Sequence, residues 1–337
     1  MNKKVTLAQI AEVTGYSINA VSRALNDKSD ISDKAKAKIR AAADELGYVA
    51  NDSARSLRSG RTNTVAVIVS DIFNPKYSRL AGEIELCMGA FGYSVIMLNS
   101  NNMEEKESAA VTTAVGKGVD GIIICPVAED TAGMRKLLKV NIPFVVVEQF
   151  VPYKEAGYVI RDDTRGGYIA AEYLMNLRHT KILAVMGDEY KYDTQQKVDG
   201  INAALRSYGI SGKIEYIACA GRKNEQITAD LRHIMENNSF TALICSDDVL
   251  ALNASYLLIK SGKRIPEDIS VIGFGDFQTN AVSYPMLDTI TVPMKKLSVD
   301  AAEILIAKIK KEETEDKRIL PMEIKTREST AICKPNI

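Results

Sequence analysis

Ile18, Asn19, Ser22 and Arg23 fall at the start of one short amphipathic run, and their chemistry suits the edges of DNA bases. An apolar Ile can meet a thymine methyl, an Asn amide can read adenine, a small hydroxyl fits several edges, and an Arg fork fits guanine or a phosphate. A second set lies farther along, at the ends of apolar runs: Asp71, Phe73, Asn74 and Tyr77; Asn99 and Ser100; Glu148; Gly187 and Asp188; Asp247 and Asp248; Gly275 and Asp276. Ligands of open α/β sheets bind beyond the carboxyl ends of the strands, so these residues nominate a polar and notably acidic cleft. Asp188 and Asp248 have a second reading as caps of the helices that follow. Glu148 and Asp247 end apolar strands, where an acid needs a partner.

Bond-breaking chemistry finds no comparable set. The chain has two histidines: His179 precedes a strand, His233 sits in an amphipathic helix, and both read as structural. No P-loop, GxSxG elbow or metal-spaced cluster occurs, so an enzyme, a cofactor and a metal are not expected. The five cysteines show no CxxC pair and read as core thiols of a reducing cytosol. Lys3 and Lys4 precede an apolar stretch broken by Gln9 and Glu12, which argues against an export signal and a secreted solute-binding protein. No apolar run approaches the roughly 20 residues of a membrane span. A cytoplasmic protein without a membrane partner is expected.

The elements that must hold these residues can be read from periodicity. Thr6-Leu7-Ala8-Gln9 has the pattern of a capping box and starts a helix to about Val13. Thr14-Gly15-Tyr16 supplies a tight turn. Ser17 then caps a second helix, from Ile18 to about Asn26, whose Val21 and Leu25 pack back on Leu7, Ile10 and Ala11. A third helix is expected between Ser32 and Gly47, burying Ala35, Ile39, Ala42 and Leu46. Helix, glycine turn, helix is an arrangement that offers the start of its second helix to the major groove, although other three-helix bundles share the pattern. Residues 1–61 hold eleven Lys and Arg against seven Asp and Glu, whereas the whole chain balances 43 against 43. A basic head suits phosphates, and the acidic remainder avoids them.

From residue 64 onward, β-rich runs at 65–69, 94–98, 121–125, 144–148, 158–161, 181–186, 214–218, 242–245 and 270–274 alternate with helical stretches. That alternation predicts parallel sheets covered by helices on both faces. The stretch 149–156, with Pro152, reads as a crossover, so the first four strands and the later ones are expected to form two sheets. The charged stretch 308–318 reads as the solvated end of a helix and its loop. With 337 residues, two or three domains are expected.

The head resembles that of the LacI/GalR family of bacterial transcription regulators. The likeness rests on Val5-Thr6-Leu7, Ile10-Ala11, Gly15-Tyr16-Ser17, Val21-Ser22-Arg23-Ala24-Leu25-Asn26, Leu46-Gly47-Tyr48, Asn51, Ala54-Arg55-Ser56-Leu57-Arg58 and Arg61-Thr62, in that order. Asp71-Ile72-Phe73-Asn74-Pro75, Asp120-Gly121-Ile122-Ile123, Asp268-Ile269-Ser270-Val271-Ile272-Gly273-Phe274 and Arg327-Glu328-Ser329-Thr330 extend it over the whole chain. The resemblance implies an α plus α/β fold: a helix-turn-helix head (1–50), a hinge helix (51–62) and a two-lobed body like that of periplasmic binding proteins (63–337). Its first lobe is expected over about 63–160 and 293–320, its second over about 161–292 and 321–337, with recrossings near Val292-Pro293 and Pro321.

A homodimer on double-stranded operator DNA, controlled by a sugar, sugar derivative or other polar metabolite between the lobes, is implied. The DNA-contacting set is then Thr6, Ser17, Ile18, Asn19, Ser22, Arg23 and Asn26, with Arg55, Ser56, Leu57 and Arg58 of the hinge. Leu57 fits an apolar wedge in a minor-groove step, on a segment expected to order on DNA. The effector set is Phe73, Asn74, Tyr77, Glu148, Lys197, Asp247 and Asp276. Several positions depart from the family pattern: Ala20 where relatives often have Thr, Lys197 where they have a clamping Arg, Asp247 where they have Asn, Gly275 for the first acid of an acidic pair, and Glu148 where many have Asp. Lys keeps the charge of Arg without its bidentate fork. A cationic ligand, a phosphorylated ligand or a protein co-regulator meeting Lys197 and Lys191 therefore stays open beside a neutral sugar. Dimerisation is expected through the helix at 79–91 and second-lobe counterparts, without a tetramerisation coil.

Overall fold

The computed structural model describes residues 5–49, 60–218, 222–276 and 284–334. The chain divides into two compact units between Thr62 and Asn63. In the first unit, α1 (Leu7–Thr14), α2 (Ile18–Leu25) and α3 (Asp33–Leu46) surround a core of Ile10, Val21, Ala24, Ile39 and Ala43. Gly15 closes α1 at φ +78° and Gly47 closes α3 at φ +68°, a region in which a Cβ would be strained. Ser17 accepts from the Ala20 amide at 3.2 Å and caps α2. Ala43 is buried, whereas Ala42 and Leu46 are only partly so. The reason is helical phase: Ala35, Ile39 and Ala43 recur at i, i+4 and form the inner stripe. The hinge candidates Arg55, Ser56, Leu57 and Arg58 lie outside the described residues.

In the second unit the elements alternate: β1 (Thr64–Val69), α4 (Pro75–Ala90), β2 (Ser94–Asn99), α5 (Glu104–Gly116), β3 (Gly121–Ile124), α6 (Ala132–Lys139), β4 (Phe144–Val147) and β5 (Gly157–Arg161). Then come α7 (Asp163–Asn176), β6 (Ile182–Met186), α8 (Tyr192–Ser207), β7 (Lys213–Tyr216), α9 (Asn224–Glu236), β8 (Ala242–Cys245), α10 (Asp248–Lys260) and β9 (Ser270–Phe274). The chain ends with β10 (Asp288–Thr291), α11 (Met294–Lys310), β11 (Lys317–Leu320) and β12 (Glu323–Lys325). Two six-stranded sheets result, in the orders β11-β5-β4-β3-β1-β2 and β12-β10-β9-β8-β6-β7. Neighbours pair in parallel except β10 and β12.

The fifth strand joins the first sheet, beside β4, so the first crossover falls at Asp162 rather than in 149–156. The chain returns after β10 to lay α11 on α4 and on β3 to β5, and crosses again between β11 and β12. The charged stretch 308–318 is not all loop. Residues 317–320 form β11 against β5, and Arg318 reaches Asp300 at 2.6 Å and Glu303 at 3.2 Å. The inner strands β3, β4, β6, β8 and β9 are wholly buried and mostly apolar, as expected of parallel sheets covered on both faces, whereas the edge strands β2, β7, β11 and β12 are partly exposed. Cys125 and Cys245 belong to these cores, where burial pushes their thiols up. His179 is buried and hydrogen-bonded to Thr241 Oγ1, Ser270 Oγ and the Ala331 carbonyl at 3.0 Å each. It ties the C-terminal segment to the second lobe.

Candidate functional site

On the head, the start of α2 is an open surface. Ile18 is 52 % exposed, Asn19 and Arg23 are exposed, and Ser22 is half-buried. Opposite them Val21 and Ala24 point into the core, so the α2 stripe fixes which side chains face outward. Thr6 donates its amide to Gln9 Oε1 at 2.9 Å, and Asn26 Nδ2 donates to the Ser22 carbonyl at 2.7 Å. Both sit at helix ends. Arg23 is gripped by Asp30, Nε to Oδ1 at 3.2 Å and Nη2 to Oδ2 at 2.5 Å. That grip orients the guanidinium without burying it, and such an exposed pair is worth only ~0–1 kcal/mol.

The second site lies where the two sheets' carboxyl ends face one another. Glu148 follows β4 at φ +71°, an unusual backbone for a residue with a Cβ and a mark of local strain. It is buried and paired with Lys76 Nζ, from the first turn of α4, and with Arg161 Nη2 at 3.3 Å. Arg161 ends β5, and the same Nη2 lies 3.6 Å from Asp163 and 3.9 Å from Asp193. Lys197 Nζ completes the set at 3.0 Å from Asp193 and 3.6 Å from Asp163, above the Phe274 ring at 5.5 Å. Six charges thus converge, three of each sign.

The register of α7 on α8 makes this possible. A Cβ on Gly200 would lie 1.9 Å from the Thr164 carbonyl, and one on Gly167 would lie 2.1 Å from the Lys197 carbonyl. Only glycines allow so close a crossing, which brings Asp163, at the start of α7, to Asp193 and Lys197 on α8. Charge then sets protonation. Burial raises the Glu148 and Asp193 carboxyls, but Arg161 and Lys76 outweigh it at Glu148, and Lys197, Lys76 and Arg161 outweigh it at Asp193, so both stay below the usual carboxylate range. At Asp163 burial prevails over Arg161 and Lys197, and its carboxyl is pushed up. Glu148 Oε1, Asp163 Oδ1 and Arg161 Nε are buried without a hydrogen-bond partner. The cleft therefore offers acceptors and one guanidinium edge to whatever enters.

Not every residue named from sequence joins this cluster. Glu148 and Lys197 do. Tyr77 packs on the first-lobe core, with the Lys76 ammonium 5.0 Å from its ring centre, and burial raises its hydroxyl. Asn74 caps α4, accepting from the Lys76 amide at 3.0 Å, and so aims Lys76 inward. Phe73 stands 85 % exposed. Asp247 is a cap after all: its Oδ1 accepts from the Leu250 amide at 2.8 Å, so its partner is a helix end. Asp248 is instead fully buried and accepts from Thr289 Oγ1 at 2.6 Å. Asp188 is not the N-cap of α8, a position that Lys191 holds, and its carboxylate lies 3.6 Å from Lys191 Nζ. Asp276 is engaged by Lys325 at 2.6 Å and by Arg327, which hold its carboxyl below the usual range against the effect of burial.

The expectation of an acidic cleft is thus corrected at its centre, because Glu148, Asp163 and Asp193 each meet Lys or Arg side chains. Lys76, Arg161, Asp163 and Asp193 were missed. The strand-end rule that named Glu148 also names Arg161 and Asp163 when applied to the end of the run 158–161, and Asp193 stands four residues before Lys197, the spacing of a helical ion pair. Lys191, at the surface, reaches Asp188 at 3.6 Å, whereas Lys197 is buried in the charge cluster.

Comparison with known proteins places these features in a lineage. Residues 6–51 match the family described as bacterial regulatory proteins, lacI family. Residues 62–328 match periplasmic binding proteins and sugar binding domain of LacI family. The HTH-type transcriptional regulator DegA of Bacillus subtilis (strain 168) is 30% identical over 332 residues, spanning 97% of this chain and 98% of the relative. A LacI family transcriptional regulator from Enterococcus faecium, solved with bound ribose, is 28% identical with a TM-score of 0.72 over 80% of this chain and 100% of its own. The lac repressor dimer bound to operator and the anti-inducer ONPF shares the fold at a TM-score of 0.85, with 24% identity, 98% of this chain and 100% of that one. A head with an open second helix and a two-sheet body with a polar cleft are both accounted for: the chain belongs to the LacI family of bacterial transcription regulators, a family of DNA-binding proteins and not of enzymes.

Proposed function

We propose that this protein is a transcriptional repressor that binds a pseudo-palindromic operator in double-stranded DNA as a homodimer and responds to a polyhydroxylated small molecule in the interlobe cleft. The observation that carries the reading is the open start of α2, where Ile18, Asn19 and Arg23 project from a helix whose other face is core. Asn19 reads adenine, Ile18 meets a thymine methyl, and Arg23, oriented by Asp30, takes guanine or a phosphate. Thr6, Ser17, Ser22 and Asn26 add backbone contacts, and Arg55, Ser56, Leu57 and Arg58 act at the minor groove. A dimer is supported by exposed apolar groups on the first lobe: Leu86 is 68 % exposed, Phe91 46 % and Met97, on the edge strand β2, 46 %. Its two-fold axis sets half-sites about one turn, ~34 Å, apart.

The cleft's charges cancel, three against three, and a buried net charge is costly. That balance favours a neutral ligand with hydroxyls over an amine or a phosphate. Hydroxyls can donate to Glu148 Oε1 and Asp163 Oδ1 and accept from Arg161 Nε, and the ribose found in one relative is of this class. Effector binding releases the operator, within the bacterial cytoplasm. Selection of bound sequences from a random DNA pool at stated moderate salt tests the reading. A pseudo-palindrome of two half-sites is the expected result, and salt-sensitive binding without an enriched motif would overturn it.

A further inference from the structure

The six cleft charges divide unevenly between the lobes. Lys76, Glu148 and Arg161 come from the first lobe and leave it one positive charge in excess. Asp163, Asp193 and Lys197 come from the second and leave one negative charge in excess. Neither face is balanced alone. They balance only against each other: Arg161 Nη2 faces Glu148 on its own side and Asp163 and Asp193 on the other, and Lys76 also draws on Asp193 across the cleft.

Two further contacts bridge the lobes at the rim. Arg79 Nη1, from α4, donates to the Asp276 carbonyl at 2.8 Å. The Phe150 ring, after β4, stacks on Tyr192, the first residue of α8, at 5.0 Å between centroids and 27° between planes.

We infer that the lobes are latched to one another by their own complementary charge, with Arg161 as the bolt, so that closure of the body does not depend on a ligand. Inside a closed, low-dielectric cleft the attraction between the two faces is far stronger than in water. Opening would separate the opposite excesses and unstack the rings. The latch is nonetheless imperfect, because Glu148 Oε1, Asp163 Oδ1 and Arg161 Nε have no hydrogen-bond partner in the closed form. Those atoms give a ligand its hold. A ligand here acts by rearranging a preformed network rather than by drawing two separate lobes together, and it shifts the equilibrium only by its differential affinity for the two arrangements. The meaning for gene control rests on the function proposed above, but the latch itself is a property of the body.

The chain contains no tryptophan, so Tyr192→Trp places a lone reporter on the Phe150 ring at the junction. The full-length, exhaustively dialysed protein should show an emission maximum and acrylamide quenching typical of a shielded indole. Adding Arg161→Met, or separately the isosteric Asp193→Asn, should red-shift the emission and raise quenching about twofold or more, as the closed population falls from dominant to minor. Asp193→Asn decides the matter if Arg161→Met does not fold, and circular dichroism verifies folding. A Phe150→Trp reporter on the opposite lobe should repeat the result. Emission already like that of the urea-unfolded chain, or quenching unmoved by both substitutions, would overturn the latch. No DNA enters the measurement, so its failure is distinct from failure of the repressor reading.

Discussion

Gly200→Ala tests how the fold builds the cleft. The new Cβ would lie 1.9 Å from the Thr164 carbonyl oxygen and 2.7 Å from the Tyr168 amide nitrogen. Both are backbone atoms within α7, so no side chain can swing aside. Ordinary contact needs roughly 3.4 Å, so α7 and α8 must move about 1.5 Å apart. Overpacking of this kind costs about 3 kcal/mol at the upper end of the usual range. The helix-forming advantage of Ala over Gly returns about 1 kcal/mol. A net loss of about 2 kcal/mol corresponds to a Tm drop of roughly 4–8 °C for a body of this size. The same displacement would carry Lys197, one turn before Gly200, from 3.6 Å to about 5 Å from Asp163, loosening the ion network that the ligand must meet. Urea unfolding followed by circular dichroism, with calorimetry, measures the effect. Gly116→Ala is the control, since nothing lies within 4 Å of its Cβ position, and it should leave stability unchanged or slightly raised. A Gly200→Ala protein as stable as the control would refute the argument that glycine contact sets the α7–α8 distance.

Asn19→Ala should relax preference at one base pair per half-site by ~1–3 kcal/mol, and unchanged preference at every position in a binding-site selection would exclude the adenine-reading role. Asp30→Ala should leave the melting of the head nearly unchanged, because the exposed pair contributes ~0–1 kcal/mol, yet alter operator affinity through the freed Arg23; equal affinity in titrations would show that the grip on Arg23 is irrelevant. Glu148→Leu leaves Lys76 and Arg161 as buried cations short of a partner and should cost about 3–5 kcal/mol, read as a lower urea midpoint, and a loss below about 1 kcal/mol would mean that water solvates the cleft. Burial holds the His179 imidazole below its ordinary value of 6.5, against the Ala331 carbonyl bond. The folded state therefore disfavours the charged ring, and stability present above pH 6.5 should fall as pH drops through the lowered folded value, by at most ~1.4 kcal/mol per unit. A His179→Asn protein should lack this component, and identical pH profiles for the two proteins would remove His179 as its source.

Much of this protein was legible along the chain because it depends on local rules. Ser17, Gly15 and Gly47 announce their caps and turns through backbone chemistry, and a helix starting at Ile18 must present Asn19 and Arg23 if Val21 and Ala24 are inward. Alternation of apolar strands with helices dictates parallel sheets, and the carboxyl-end rule then reaches Glu148 before any coordinates are known. What sequence could not decide was partnership. Asp247 and Glu148 look alike as acids ending apolar strands, yet one caps the helix beginning at the next residue and the other, at φ +71°, turns toward Lys76 and Arg161. Short β11 and the place of β5 in the first sheet depend on pairings between distant segments, so the crossover and the cleft role of Arg161 escaped a local reading. Likewise the cleft seemed acidic when its acids were counted one by one. Its neutrality arises only in three dimensions, where Gly167 and Gly200 let two helices touch, Lys76 and Arg161 reach Glu148, and Arg161 and Lys197 reach Asp163 and Asp193, because in a buried space charges persist only where opposite charges reach them.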